Sequence, residues 1–263
     1  MDIRDLLLLI VLFFVTSIVG VVTGSNSLIT VPLMFQFGID EKVAIATNMF
    51  GLTFMAIGGT IPFVRQGTIE FRKLTPFVTL TIAGSAIGAL LVGLISNQVI
   101  KIMVSIAMIL ISIFILVKPV GANESESEIE AVHDRQSAND PSASTGYLAF
   151  ILIFLLAIYG GLYSGGYVTV LTATLVAFAG MSFSGSIAAT KFINVFSSGI
   201  ATVVFMWQGL VDFKLGIILG IAMFAGAYVG AHYTTRMSEQ WLKRIFLATV
   251  FLLAIKTLFD FRF

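Results

Sequence analysis

Lys191 is the residue whose type and position are hardest to explain by packing alone. It lies within the apolar stretch Phe183–Trp207, and a lysine at the centre of a membrane helix costs about 2.5–3.5 kcal/mol on insertion scales. None of the long apolar stretches contains an acidic residue that could pair with it. The pattern favours a substrate anion that supplies the missing charge. The alternative is a side chain that extends along the helix to the nearer membrane interface.

Polar side chains repeat around this lysine at helical spacing. Thr190 precedes Lys191 and Asn194 follows it by three positions, so Lys191 and Asn194 share one face of a helix. The first half of the chain has a matching pair, Thr47 and Asn48. Two related helices would therefore present Thr-Lys and Thr-Asn near one another, as hydrogen-bonding groups for a substrate. The alternative is that these side chains bond only between helices, which is common in membranes.

Two short polar breaks interrupt the apolar sequence, one in each half: Thr23-Gly24-Ser25-Asn26-Ser27 and Ser164-Gly165-Gly166. A break allows a helix to begin inside the membrane, where its free N–H groups and its positive dipole end favour an anion. Matching breaks in two halves also indicate a transporter binding site. The predicted binding residues from the breaks and their flanking tyrosines are Gly24, Ser25, Asn26, Ser27, Gly165, Gly166, Tyr163 and Tyr167. The alternatives are ordinary tight loops and interfacial tyrosines.

Composition excludes several other kinds of site. The 263 residues include no cysteine and only two histidines, which excludes disulfides, thiolate metal sites and His-rich metal cages, and we predict no metal and no cofactor. A net charge of +1 gives no indication of a nucleic-acid partner. Ser164 and His232 resemble the pair of an intramembrane serine protease, but that pattern requires Gly where this chain has Leu162. We therefore predict that the protein is not an enzyme.

The elements that must position these residues are membrane helices. Hydrophobic residues make up 58% of the chain and charged residues 11%, whereas soluble domains contain about 25% charged residues. A helix needs about 20 apolar residues to cross the hydrocarbon core. Long apolar stretches cover Leu6–Val22, Val43–Val64, Leu74–Ile95, Val99–Val117, Tyr147–Tyr163, Phe183–Trp207, Phe213–Tyr233 and Ile245–Phe259, and short ones cover Leu28–Phe37 and Tyr167–Ala179. The predicted fold is an all-α, polytopic membrane protein with about eight long transmembrane helices and two short or broken helices.

The two halves of the chain are related in sequence. Identical residues recur at a constant offset of 142, among them Gly67 with Gly209, Phe71 with Phe213 and Lys101 with Lys243. The hydrophilic, acidic region between the halves has no apolar period and is typical of a flexible linker. We predict a first membrane repeat over residues 1–118, an acidic cytoplasmic linker over 119–146, and a second membrane repeat over 147–263.

The basic loops indicate how the repeats are oriented. In the first half the loop around Gly67 is basic, with Arg65, Arg72 and Lys73. In the second half the basic residues are instead in the next loop along the chain, which contains Arg236, Lys243 and Arg244. If basic loops face the cytoplasm, the halves run in opposite directions. We therefore predict inverted repeats, and a parallel arrangement of the halves remains the alternative.

At these positions the sequence resembles the TauE/SafE sulfite-exporter family. The resembling segments are Val31-Pro32, Ala44–Asn48, Arg65–Ile69, Gly160–Gly166, Ala188–Asn194 and Gly209–Phe213. The resemblance extends over nearly the whole chain and implies transport of sulfur-containing anions such as sulfite and organosulfonates, sulfoacetate among them. The first break has more polar side chains than is usual in the family, so the resemblance supports an anion transporter better than it specifies sulfite.

The sequence therefore predicts a secondary transporter of small anions in the plasma membrane of a bacterium or archaeon. Its predicted partners are the anionic substrate and the lipid bilayer, and the oligomeric state stays open, a homo-oligomer included. Rocking of one half against the other would provide alternating access to one central site. The alternatives are a channel-like anion facilitator and a membrane sensor or receptor that transports nothing.

Overall fold

The described elements of the chain are α-helices. A computed structural model describes residues 2–24, 26–106, 143–238, 241, 242 and 244, and these residues contain no strand. The helices in chain order are α1 (Ile3–Thr23), α2 (Asn26–Gln36), α3 (Glu41–Arg65), α4 (Phe71–Leu94), α5 (Asn97–Ile106), α6 (Ala143–Leu162), α7 (Tyr167–Ala179), α8 (Phe183–Trp207) and α9 (Phe213–Thr234). The all-α prediction is confirmed over this part of the chain.

Within the part of the chain that the structure describes, five helices are long and apolar enough to cross a membrane, namely α1, α3, α4, α8 and α9. Their outer faces carry exposed apolar side chains, such as Leu7 and Val11 on α1 and Ile221 on α9. A bilayer solvates such faces, since its hydrocarbon is as apolar as the side chains. The five helices coincide with five of the predicted long stretches.

Other predicted elements lie at the limits of the described residues. The stretch Ile245–Phe259, most of Val99–Val117 and linker residues 119–142 lie outside them. α6 begins at Ala143, four residues before the predicted start of the second repeat. The domain boundaries therefore stay a prediction.

Both predicted breaks are turns between a long helix and a short one. Gly24 ends α1 with a φ of 68°, and its N–H donates to the Gly20 carbonyl at 2.9 Å. Between α6 and α7, Ser164 has a φ of 62° and Gly166 a φ of 74°. The short helices α2 and α7 have 11 and 13 residues, so at about 1.5 Å per residue each covers only part of a hydrocarbon core about 30 Å thick.

One set of parallel helices consists of α1, α3 and α9. Gly226 of α9 packs on Phe14 of α1, and Gly230 packs on Ile18, so α1 and α9 run in the same direction. A Cβ atom at Gly226 would lie 2.3 Å from the Phe14 carbonyl oxygen, so this approach requires glycine. The same direction holds for α3, because α3 and α9 meet at Gly51 with Met223 and at Gly59 with Ala227.

The second parallel set consists of α4, α6 and α8. Gly84 of α4 packs on Ala157 of α6, and Gly88 packs on Leu162. The side chain of Gln208, directly after α8, donates to the carbonyls of Ala89 and Leu90 near the end of α4. Each set therefore combines helices from both halves. The two sets run in opposite directions, because the chain turns back in the short loop between α3 and α4.

Charges differ between the two ends of the helices. Arg65 ends α3, Arg72 lies in the first turn of α4, and Arg236 follows α9. We call this the basic end. At the other end, here called the acidic end, Asp40 caps α3 and Asp212 caps α9. The positive-inside rule predicts that the basic end faces the cytoplasm.

Candidate functional site

The two breaks lie against each other in the interior of the bundle. Ser27 Oγ in the first break and Ser164 Oγ in the second are hydrogen-bonded at 2.9 Å. The Tyr163 hydroxyl donates to the Ser27 carbonyl at 3.3 Å, and the Thr169 hydroxyl donates to the Thr23 carbonyl at 2.6 Å. All five residues are buried. The fold therefore joins segments that are far apart in the sequence into one polar region.

Asn48 extends this polar region into α3. Its Nδ2 donates to Ser27 Oγ at 2.9 Å, and its Oδ1 accepts from Thr30 Oγ1 at 2.7 Å. Asn48 is 1% exposed. The side chains of Thr30, Asn48, Ser27 and Ser164 thus form a continuous buried chain of hydrogen bonds that connects α2, α3 and the second break.

Lys191 extends from α8 to the C-terminal end of α1. Its Nζ donates to the Gly20 carbonyl at 2.9 Å, and the residue is 3% exposed, so the side chain does not extend to the membrane interface. A cation at a helix C-terminus is stabilised by about 0.3–1 kcal/mol, and by up to about 2 kcal/mol where it is partly buried. Within the described residues no carboxylate pairs with Lys191. Two of its three N–H donors stay available for a ligand.

Gly20 brings the lysine close to the start of α2. A Cβ atom at Gly20 would lie 3.2 Å from Asn26 Cβ and 3.0 Å from Met55 Cε, so Asn26 packs directly on the residue that binds Lys191. Asn26 is 3% exposed, and its Oδ1 forms no hydrogen bond, while its Nδ2 contacts Met55 Sδ at 3.4 Å. An ammonium group and an incompletely paired amide therefore lie on either side of Gly20, where α1 ends and α2 begins.

The glycines of the breaks have a backbone role. A Cβ atom at Gly24 would lie 2.8 Å from the Thr169 amide nitrogen, and one at Gly165 would lie 2.3 Å from the Tyr163 ring. Gly166 has a positive φ and forms the N-cap of α7. These positions therefore let the two breaks approach each other. Ser25 lies outside the described residues.

The remaining predicted residues are distributed more widely. Asn194 is buried one turn after Lys191 on α8. Thr190 donates to the Ile187 carbonyl within α8 and accepts from Thr172 at 3.4 Å. The Thr47 hydroxyl instead accepts from the Asp212 amide at the acidic end, so the structure does not bring it to the breaks.

The separation of the two threonines has a simple physical cause. α3 and α8 belong to the two oppositely directed sets of helices. The same position near the start of each helix therefore lies near opposite ends of the bundle, with Thr47 at the acidic end and Thr190 towards the basic end. No hydrogen bond joins the two threonines among the described residues, because Thr47 bonds to Asp212 whereas Thr190 bonds to Ile187 and Thr172.

Five residues of this region were not predicted as site residues, namely Gly20, Thr23, Thr30, Ser164 and Thr169. Gly20 contributes a backbone carbonyl, which no sequence motif marks. Ser164 is part of the second break, but its hydroxyl was considered only as a protease nucleophile and not as a binding group. Thr30 lies four residues after Asn26 and donates to the Asn26 carbonyl, at the helical spacing that could have identified it.

The arrangement is suited to holding an anion without a metal. It offers the Lys191 ammonium group, the start of α2, and the hydroxyl groups of the two breaks. No group of three or more His, Cys, Asp or Glu side chains that could hold a metal ion occurs within the described residues. Nothing in the described interior supplies an acidic residue to compete with an anionic ligand for Lys191.

Known proteins similar to the chain are membrane transporters by name. A family model described as sulfite exporter TauE/SafE matches residues 8–257. The chain is 27% identical over 252 residues to the "Probable membrane transporter protein ORF9" of a Sinorhizobium species, which covers 96% of this chain and 92% of that protein. It is 25% identical over 259 residues to the "Probable membrane transporter protein YfcA" of Escherichia coli, with 97% and 91% covered.

A third relative is the "Probable membrane transporter protein" of Haemophilus influenzae. It is 23% identical over 258 residues, which cover 96% of this chain and 95% of that protein. No solved structure matches the chain. The similarity to these relatives therefore extends over almost the full length of both partners, and the names agree in the class of protein.

Proposed function

The chain belongs to the sulfite exporter TauE/SafE family, and we propose that it is a secondary transporter of small sulfur-containing oxyanions, such as sulfite and organosulfonates. Membership of the family makes the protein a membrane transporter of this kind. The substrate class within that description is the proposed step, and it includes sulfoacetate among the candidates. The named relatives come from bacteria, which supports a location in a bacterial plasma membrane.

The observation that carries the proposal is the environment of Lys191. The ammonium group is buried at the end of α1 and donates to one backbone carbonyl. It forms no ion pair with a carboxylate in the described residues. A carbonyl dipole compensates only part of a full charge, so a bound anion would gain a charge-assisted hydrogen bond of about 1.5–3 kcal/mol. The adjacent start of α2 adds the positive end of a helix dipole.

Alternating access is the proposed mechanism, and the helix directions support it. α1 and α3 of the first half belong to one parallel set, whereas α6 and α8, at the matching places in the second half, belong to the other. This is the relation expected of inverted repeats. Rocking of one half against the other about the two breaks would expose the Lys191 region first to the acidic end and then to the basic end.

The test is uptake of labelled anions by liposomes that contain the purified protein. We expect saturable uptake of ³⁵S-sulfite or ³⁵S-sulfoacetate, accelerated by unlabelled anion on the other side, because only a carrier shows accelerated exchange. Lys191→Met keeps the length of the side chain and removes its charge. We expect uptake to fall about 10- to 100-fold, in accordance with the loss of one charge-assisted bond.

Two matched variants complete the experiment. Lys191→Arg keeps the charge and should retain part of the uptake, whereas Lys214→Met removes an exposed lysine on α9 and should have no effect. Full uptake by Lys191→Met would exclude the proposed role of this lysine. Unsaturable uptake without accelerated exchange would identify a channel-like facilitator instead of a carrier.

A further inference from the structure

A second cluster of polar side chains lies beside the C-terminal end of α6, outside the proposed anion site. It consists of Thr81 and Ser85 on α4, Tyr167 at the start of α7, and Ser197 on α8. Each is at most 1% exposed. We call these four residues the hydroxyl cluster. They carry no charge, and they come from both halves of the chain. The sequence predicted Tyr167 as an anion-binding residue, but its hydroxyl lies beside Thr81 and Ser197 instead.

The hydrogen bonds within the cluster leave lone pairs free. Ser85 Oγ donates its proton to the Ala157 carbonyl at 3.2 Å, and it lies 2.7 Å from Ser197 Oγ. A serine hydroxyl has one proton, so when Ser85 donates to Ala157, Ser197 donates to Ser85. In this arrangement both serine protons are used within the protein, while lone pairs on Ser197 stay available.

Two further hydroxyl groups of the cluster are unpaired. The Tyr167 hydroxyl lies beside those of Ser197 and Thr81 but forms no hydrogen bond of normal geometry. Thr81 Oγ1 also lacks a partner. A buried polar group without a partner costs about 1–3 kcal/mol, so two adjacent examples favour a ligand that several hydroxyl oxygen atoms bind together.

The backbone around the cluster favours positive charge. α6 ends at Leu162, and the Ser85 backbone lies so close to its last turn that a Cβ atom at Gly161 would be 2.1 Å from the Ser85 carbonyl oxygen. The C-terminal end of a helix carries partial negative charge. Unwound carbonyls and C-terminal ends of half-helices are also the groups that coordinate Na⁺ in transporters with broken helices.

The matching place in the first half shows what such a position holds. There the C-terminal end of α1 binds the Lys191 ammonium group through the Gly20 carbonyl. Gly20 packs on Asn26, the first residue of α2, and Gly160 packs in the same way on Tyr167, the first residue of α7. At the α6 end, no lysine or arginine side chain takes the corresponding place among the described residues. One end holds a cation that is part of the chain, and the other offers oxygen atoms.

We propose that the hydroxyl cluster binds a small monovalent cation, Na⁺, through Thr81, Tyr167 and Ser197. The inference rests on the proposed transport function, for which it names the coupling ion. Movement of one Na⁺ with one monovalent anion would be electrically neutral. It would also explain how an anion carrier without a membrane-centred carboxylate uses an ion gradient.

The test measures Na⁺ binding without any substrate anion, so that its outcome is independent of the uptake experiment. The purified protein is melted in detergent in sodium, potassium or choline gluconate at equal ionic strength. A ligand that binds the folded state raises the melting temperature with its concentration. We expect sodium alone to raise it, and we expect the apparent Na⁺ affinity to fall about tenfold or more in Thr81→Val and in Tyr167→Phe.

Two controls make the result specific. Thr53→Val removes a hydroxyl that bonds to Thr202 at 3.1 Å between α3 and α8, away from the cluster, and should leave the sodium effect intact. Thr81→Ser keeps the ligand oxygen and should restore the affinity lost in Thr81→Val. Equal stabilisation by all three salts would overturn the proposal and leave a buried water as the occupant. A sodium effect that is unchanged in both Thr81→Val and Tyr167→Phe would also overturn it.

Discussion

The C-terminal ends of α1 and α6 are equivalent places that hold different chemistry. At the end of α1, the Gly20 carbonyl binds a lysine from α8. At the end of α6, the Ala157 carbonyl binds Ser85, within a cluster of uncharged hydroxyl groups. The backbone is similar, since each long helix ends at a left-handed turn before a short helix. The two halves therefore share the helix breaks and differ in the charge at one of them.

Asn48 occupies the position in α3 that Lys191 occupies in α8. The difference between these two side chains accounts for the difference in charge between the ends of α1 and α6. Asn48 bonds to Ser27 and Thr30 on α2, within its own half. Lys191 reaches across to α1 of the other half. At this position the first half has an asparagine that bonds within its own half, whereas the second half has a lysine that bonds to the other half.

The largest expected effect comes from moving the charge to the other half. Asn48→Lys would remove two buried hydrogen bonds and place an ammonium group where no helix C-terminus is shown to receive it. An uncompensated buried charge costs about 3–5 kcal/mol, so we expect little folded protein in the membrane. The measurement is the yield of monodisperse protein by size-exclusion chromatography.

Lys191→Asn provides the opposite exchange. The Gly20 carbonyl keeps its bond from the Gly24 amide, so this variant should fold and should lose uptake. If Asn48→Lys gave a normal yield, the two positions would be interchangeable and the asymmetry would have no structural basis.

A smaller effect is expected from a methyl group at the two matching glycines. At Gly160 the added Cβ would lie 2.8 Å from the Tyr167 ring, whereas at Gly20 its nearest neighbour is the end of the flexible Met55 side chain. Gly160→Ala should therefore lower stability by about 1–3 kcal/mol, and Gly20→Ala by clearly less. Thermal melting of both variants under the same conditions compares them. An equal loss at the two positions would contradict the difference in packing.

The smallest effect of all is expected for Ser164→Gly, at the contact between the two breaks. Ser27→Ala removes the bonds to Asn48 and Ser164 and leaves the Asn48 Nδ2 unpaired, which should cost about 1–3 kcal/mol. Ser164→Gly also loses the bond to Ser27, but it relieves a non-glycine residue at positive φ. We expect its melting temperature to stay within a few degrees of the parent protein. A larger loss in Ser164→Gly than in Ser27→Ala would reverse the proposed order.

The helices could be predicted from the sequence because their apolar stretches are long and continuous. α2 and α7 were also found, since a polar break precedes each short stretch. The partner of Lys191 could not be predicted, because a backbone carbonyl is the same chemical group at every residue. The bond between Ser27 and Ser164 depends on the packing of two halves, and neither local propensity nor periodicity contains that information.

The expectation for Thr47 shows a different limit. The sequence offset paired Thr47 with Thr190 as matching positions of the two halves. Matching positions of two oppositely directed helices lie close together only near the point where the helices cross. Thr47 bonds to the Asp212 amide, so its place in the sequence did not locate it in space.

The glycine contacts between α1 and α9 have a consequence for how the protein is made. Phe14 and Ile18 pack on Gly226 and Gly230, which are synthesised about 200 residues later. This face of α1 therefore stays uncovered in the lipid while the intervening helices are inserted. The contact forms only once α9 is in the membrane, through association of helices that are already inserted. A chain that stops before α9 would leave α1 without its main neighbour, and such a product should be removed by membrane quality control.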